Sequence, residues 1–242
     1  ADLAQNNVIE AAAKSVADNN LVKATDTVDG KTITKTLDDL AVNNSTTVSD
    51  NNVQVIYQTY VDVQVNDVKK ITGDAITELE VNLTPMYRII ATTNNVYQTG
   101  KYIVDKDQSN THNPEINAIQ IGDAQKLTLP TSNYTVTLAL PNNFAEDGAR
   151  LSIKHTKDNG SIEYYTGSVT STTDNTQTPA PTTYYVTFTT NGFSPFTIYA
   201  SSASVASIGS DENEKVYPTL QAAIDAANDN DTITLKQDCA EN

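Results

Sequence analysis

The most regular stretch of the chain begins at Val53. Odd positions carry Val53, Val55, Tyr57, Thr59, Val61, Val63 and Val65, and even positions include Gln54, Gln58, Asp62, Gln64 and Asn66. Alternation with period two places one set of side chains on one face of a strand, so this pattern predicts a strand with its odd face buried. Only Ile56 and Tyr60 interrupt it. Thr72-Gly73-Asp74 predicts a turn, and Ile76, Leu79, Val81 and Leu83 continue in strand. Pro85 lacks a backbone donor and predicts an edge or a bulge. Strands follow over 86–92 and 97–104, with two short ones inside 116–129 on either side of Gly122-Asp123.

Beyond Pro130, a plausible domain boundary, the pattern predicts strands at 134–140, 149–155, 162–166, 184–190 and 193–200. Asp158-Asn159-Gly160 and Asn191-Gly192 both read as tight hairpin turns, because their residues tolerate a left-handed backbone. The stretch 171–183 reads as a polar loop. Helical spacing is confined to the ends of the chain. Val8, Ile9, Ala12, Ala13 and Val16 mark a helix over 7–17, and Leu220, Ala223, Ile224 and Ala227 mark one over 218–228, before a strand at 231–235. Residues 21–52 are polar with weak periodicity, a helical turn at 35–42 being their strongest feature.

The fold expected is therefore all-β dominated, with two Ig-like β-sandwich domains and short terminal helices. The organisation read from the chain is an N-terminal helix and polar segment (1–44), a first sandwich (45–129), a second (130–201), a linker (202–215) and the start of a further module (216–242).

Composition agrees with strands. Aromatic residues are mostly Tyr, 12 against 4 Phe and no Trp, and Tyr suits half-buried sheet positions. The net charge of −15 repels nucleic acid and anionic membranes. The apolar runs are too short to form a transmembrane helix. One cysteine, Cys239, precludes a disulfide within the chain. With the Thr- and Asn-rich composition, this suits an exported protein, extracellular or at the cell surface. The chain opens at Ala1 and stops just after a strand-like segment, which reads as part of something longer.

Two segments resemble known architecture. Leu151 to His155, Gly160 to Glu163 and Val186 to Ile198, the last with a Phe-Ser-Pro-Phe closing strand, resemble β modules in large mosaic cell-surface proteins of Gram-positive gut bacteria. Tyr217 to Leu235 resembles the helix-then-strand opening of right-handed β-helix regions in such proteins. The resemblance implies surface location and a multidomain parent. It implies no activity.

Candidate chemistry is sparse. His155, one of two His, sits near Glu163 and Tyr164 and has the elements of acid–base work, although a sheet histidine bonded to a neighbour is the simpler reading. Phe193-Ser194 is reminiscent of autoproteolytic His-Phe-Ser sites, but Gly192 stands where that motif has His. Asp105, Asp107, Ser109 and Glu115 approach the spacing of a Ca²⁺ loop. Asn110 replaces its Gly and Glu115 falls one place early, which favours a solvated acidic loop. Tyr57, Tyr60, Tyr97 and Tyr102 are candidates for a sugar-stacking platform, together with His155 as a ligand-binding residue. No paired carboxylates, phosphate loop or nucleophile elbow stands out.

The function expected is a non-enzymatic spacer or adhesin segment, contacting host or cell-wall glycans or proteins. Two alternatives remain. One is a carbohydrate- or peptide-binding module. The other is an accessory region of a surface enzyme whose active site lies outside this chain.

Overall fold

A computed structural model describes the backbone of residues 22–28, 31–36 and 48–50, and residues 53–70, 75–99, 102, 104–105, 116–128, 133–193 and 195–238, without the side chains of 57–61, 70, 94, 97 and 105. The helix expected at 7–17, the turn at 72–74 and Cys239 lie outside these residues.

The longest elements are β4 (Val53–Lys70) and β5 (Ile76–Thr93), 18 residues each. They pair antiparallel from Val53↔Thr93 to Lys70↔Ile76, a ribbon about 60 Å long at ~3.3 Å per residue. β3 (Val48–Asp50) pairs with the first residues of β4. The other edge of β5 changes partner along its length. Residues 78–81 pair with β12 (Phe196–Tyr199), and residues 86–92 pair with β7 (Ala118–Lys126). Pro85 lies at the changeover, so the residue without an N–H falls where one neighbouring strand has ended and the next has not begun. Its carbonyl accepts from the Leu127 N–H at 2.9 Å. The strands expected at 76–83 and 86–92 are thus one strand passing through Pro85.

The remaining strands are β1 (Val22–Val28), β2 (Lys31–Thr36), β6 (Val104–Asp105), β8 (Asn133–Ala139), β9 (Arg150–Thr156), β10 (Ile162–Thr173) and β11 (Thr182–Thr190). The sheet runs β2-β1-β8-β11-β10-β9-β12-β5-β4-β3, with β7 and β6 alongside the far half of β5. The all-β class holds. Strand pairing nevertheless runs unbroken across Pro130, because β5 reaches from one expected domain into the other.

The near half of this sheet is rolled. Phe188 on β11 and Phe196 on β12 are three strand steps apart, about 14 Å in a flat sheet. Their ring centroids lie 5.3 Å apart. Only a sheet curled around one face brings them together. The inward row comprises Tyr134, Val136 and Leu138 on β8, Leu151 and Ile153 on β9, Val186 and Phe188 on β11, and Leu79, Val81 and Leu83 on β5, all buried in one core. Gly167 on β10 lies on the inner face of the roll, directly beneath Val186 and Ile153. A Cβ there would fall 2.5 Å from Val186 Cγ2 and 2.8 Å from Ile153 Cδ1. The strand thus passes under two aliphatic side chains because it carries only hydrogen.

The far half of the ribbon buries its other face. Odd residues 79, 81 and 83 of β5 are buried near the roll, whereas Arg88, Ile90 and Thr92 are buried at the far end. On β4, Gln54 and Ile56 are buried and Val53 is 45% exposed. The odd face expected to be buried throughout is therefore buried at one end only. The far core is Ile56, Ile90 and Ala118, with Tyr102 and Val104 packed against it.

Several local expectations change. Where one strand is expected over 97–104, residues 97–99 belong to the helix α1 (Asn94–Thr99), and β6 contributes Val104. β6 pairs parallel to β7, and a parallel pair needs a crossover that a direct strand connection cannot supply. The two strands expected around Gly122-Asp123 are a single β7. It carries a register shift opposite Tyr87/Ile89 with Gly122 at φ +71°, the conformation of a glycine bulge. β10 extends to Thr173, and only 174–181 remain as loop. β1 and β2, in the polar stretch 21–52, form a hairpin added to the edge of β8. Asp158–Gly160 is a hairpin turn with Gly160 at φ +82°. Asn191-Gly192 is not. β11 and β12 lie three strands apart, Gly192 has no left-handed φ, and its N–H donates to Thr190 Oγ1 at 3.3 Å. The segment carries the chain across the roll.

The C-terminal residues form a small sheet, β14-β13-β15, of Lys215–Tyr217, Ala206–Ile208 and Ile233–Leu235, with α2 (Leu220–Ala226) beside it. Its central strand lies within the stretch expected to be linker. Thr219 caps α2, its Oγ1 accepting from the Ala222 N–H at 3.0 Å. Ala222 and Ala223 face inward and Ile224 is 49% exposed, so the helix is turned from the Leu220/Ala223/Ile224/Ala227 stripe expected. This sheet folds back onto the outer face of β10. Tyr164 packs on Ala206, Tyr217, Ala222 and Ala223, and the Val216 N–H donates to Thr166 Oγ1 at 3.1 Å.

The roll yields a direct test. Gly167→Ala should lower stability by about 1–3 kcal/mol, the usual cost of overpacking, read from the denaturation midpoint. An unchanged midpoint would mean that the curl is looser than described.

Candidate functional site

Period-two alternation on β9 points Leu151, Ile153 and His155 into the roll. His155 is the last of this row and is 2% exposed. Its ring stacks on Phe196 of β12, centroids 4.6 Å apart and planes 16° from parallel. The β9–β10 register sets Glu163 opposite His155. Tyr165, two residues on, shares that face.

A polar chain runs outward from the buried ring. His155 Nδ1 lies 3.1 Å from Tyr165 Oη, and Oη lies 2.7 Å from Glu163 Oε2 and 3.3 Å from Asn191 Oδ1. Lys157 pairs with Glu163 Oε1. A phenol has one proton, and the shorter contact assigns it to the Glu163 carboxylate. The phenol oxygen then accepts from His155, which fixes the imidazole as the Nδ1–H tautomer. Burial holds the His155 pKa below its ordinary value, against the pull of Glu163 and Asp158; Lys157 lowers it further. Hydrogen bonds from Lys157 and Tyr165 hold the Glu163 carboxyl low. Burial raises the Tyr165 phenol. The result is a neutral imidazole inside, a carboxylate at the rim, and a phenol between them.

The partner tyrosine is Tyr165, not Tyr164. Tyr164 lies on the outer face, 6.1 Å from the Tyr217 ring. The hairpin register carried the signal, since a turn at 158–160 that sets 163 opposite 155 puts 165 on the same face. Phe193 packs on Tyr134 at 5.1 Å between ring centroids, and a Cβ at Gly192 would lie 3.8 Å from His155 Cε1. Ser194 lies outside the described residues.

Of the other candidates, the described ones lie on the far half of the sheet and on α1. Tyr102 is half-buried against the far core. Tyr57 and Tyr60 stand on β4 and Tyr97 on α1, their side chains undescribed. Of the Ca²⁺ candidates, Asp105 lies on β6, and Asp107, Ser109 and Glu115 lie outside the described residues. Among the described residues, no group of three or more His, Cys, Asp or Glu is placed to hold a metal ion.

No family model, curated protein or solved structure matches this chain.

The chain of contacts makes stability pH-dependent. The folded imidazole resists the proton that the unfolded one takes up near its ordinary 6.5. Stability should hold above pH ~7, fall as pH drops through that value, and level off below the folded pKa. His155→Phe should remove this limb of the profile. Tyr165→Phe should cost about 1–3 kcal/mol by leaving the buried Nδ1–H without its acceptor. Melting curves from pH 5 to 8 that are identical in shape for the wild type and His155→Phe would refute the assignment.

Proposed function

We propose that this chain is a non-enzymatic spacer or adhesin segment of an extracellular or cell-surface protein. The observation that carries the reading is the β4–β5 ribbon, whose one ladder enters two cores on opposite faces. In this reading, those cores are the two β modules expected at 45–129 and 130–201, joined by shared strands instead of a flexible linker. Such a joint transmits orientation and distance, which a spacer requires. The His155 chain fits the same reading, because its polar groups satisfy one another along the wall of the roll. The acidic surface keeps neighbouring copies apart and suits contact with glycans or basic protein surfaces. No described helix is long and apolar enough to cross a membrane.

Small-angle scattering extrapolated to infinite dilution tests the geometry behind this reading. A compact domain of this length has a radius of gyration near 18 Å. The ribbon predicts a clearly larger value and a maximum dimension beyond its own ~60 Å. A compact profile would remove the argument for a spacer.

A further inference from the structure

The sequence holds two Asn-Gly steps, Asn159-Gly160 and Asn191-Gly192, and glycine serves a different purpose in each. At Gly160 the backbone is left-handed, with φ +82°, so the hairpin itself favours a residue without a Cβ. Gly192 has no such conformation, and a Cβ there would meet His155 Cε1 at an ordinary 3.8 Å. Neither backbone angle nor space therefore demands glycine at 192. What glycine does supply there is a peptide nitrogen unshielded by a side chain, next to an asparagine carboxamide. Asn191 is exposed and Gly192 half-buried, between β11 and β12.

That pairing is reactive, because the peptide nitrogen after an asparagine lies within reach of the side-chain carbonyl carbon. The two steps restrain it differently. In the hairpin, the Gly160 N–H donates to the Lys157 carbonyl at 2.8 Å, and Asn159 Oδ1 accepts from the Ser161 N–H at 3.0 Å and from Ser161 Oγ at 2.7 Å. Nucleophile and electrophile are both held. At the other step, the Gly192 N–H lies 3.3 Å from Thr190 Oγ1 and Asn191 Oδ1 lies 3.3 Å from Tyr165 Oη. Both contacts are at the long end of hydrogen bonding and hold the reacting groups less firmly.

We propose that Asn191 is a site of self-modification by deamidation, with water as the co-reactant. The Gly192 nitrogen, giving its proton to a base in solution, bonds to Asn191 Cγ. The Cγ–Nδ2 bond breaks and ammonia leaves, which closes a five-membered succinimide. Water then opens the ring, to aspartate or to isoaspartate. The position gives the product a consequence. The single proton of Tyr165 goes to Glu163 Oε2, 2.7 Å away, so a carboxylate at 191 meets the phenol oxygen without a donor between them. It also sets a second negative charge beside the Glu163 carboxylate. Deamidation thus turns a neutral neighbour of the His155–Tyr165–Glu163 chain into a repelling one, and weakens the margin of the roll as the protein ages.

The test is peptide mapping by mass spectrometry of the full chain, kept warm in neutral buffer and sampled over time. Aspartate and isoaspartate should accumulate at 191 ahead of 159. Gly192→Ala should melt no lower than the unmodified chain and should lose the product at 191. In guanidinium chloride, where neither step is restrained, the two should react alike, a comparison that needs no variant to fold. Asn191→Asp should melt below the unmodified chain at neutral pH, and the gap should close as acid protonates the new carboxyl. Product appearing at 159 as fast as at 191 in the folded chain would overturn the proposal. So would a product at 191 undiminished in Gly192→Ala, or a preference for 191 that persists in guanidinium chloride.

Discussion

The architecture depends on one ladder of backbone hydrogen bonds, the pairing of β4 with β5. Because each strand buries its odd face at one end and its even face at the other, neither core is complete without the ribbon. Leu79, Val81 and Leu83 lie in the rolled core, while Ile56 and Ile90 anchor the far one. Pro85 makes the handover possible, since it removes a donor at the residue where β5 exchanges one edge partner for another. Unfolding of either core exposes apolar surface on strands that the other core holds in place, which couples the two energetically.

The roll imposes its own conditions. Its curl requires a bare backbone at Gly167 and an aromatic contact between Phe188 and Phe196. At its margin it carries a polar residue, His155, into a position where water does not reach. The Tyr165–Glu163–Lys157 chain answers that cost by giving the buried imidazole a hydrogen-bond partner and leading its polarity to the rim. The same wall has a different outer face, on which Tyr164 and Thr166 receive the C-terminal sheet. One strand, β10, thus serves the core with its odd residues and the docking of a second unit with its even ones.

Much of this was legible in the sequence. The β class, the ribbon strands, the 158–160 hairpin and the terminal helix followed from local periodicity and turn chemistry. What escaped depended on partners distant in the chain. Alternation at Val53–Val65 shows that a strand has two distinct faces, but not that the buried one changes along its length. Asn191-Gly192 has hairpin composition, yet β11 pairs with β10 and β8, not with β12, and the segment serves a crossing. Thr- and Lys-rich β1 and β2 have little apolar pattern because they extend a sheet edge. At the candidate site, His155 and Glu163 stood out by residue type. Tyr165 required the hairpin register to separate it from Tyr164.

The central claim, one continuous ladder serving two cores, is tested most directly by hydrogen exchange across the middle of the ribbon. The paired amides of residues 59–62 and 84–87, Pro85 excepted, should be as protected as those flanking them on both sides, and should exchange in the same opening event. Fast exchange confined to these residues, with both cores remaining protected, would contradict the account and leave two independent units joined by a flexible crossing.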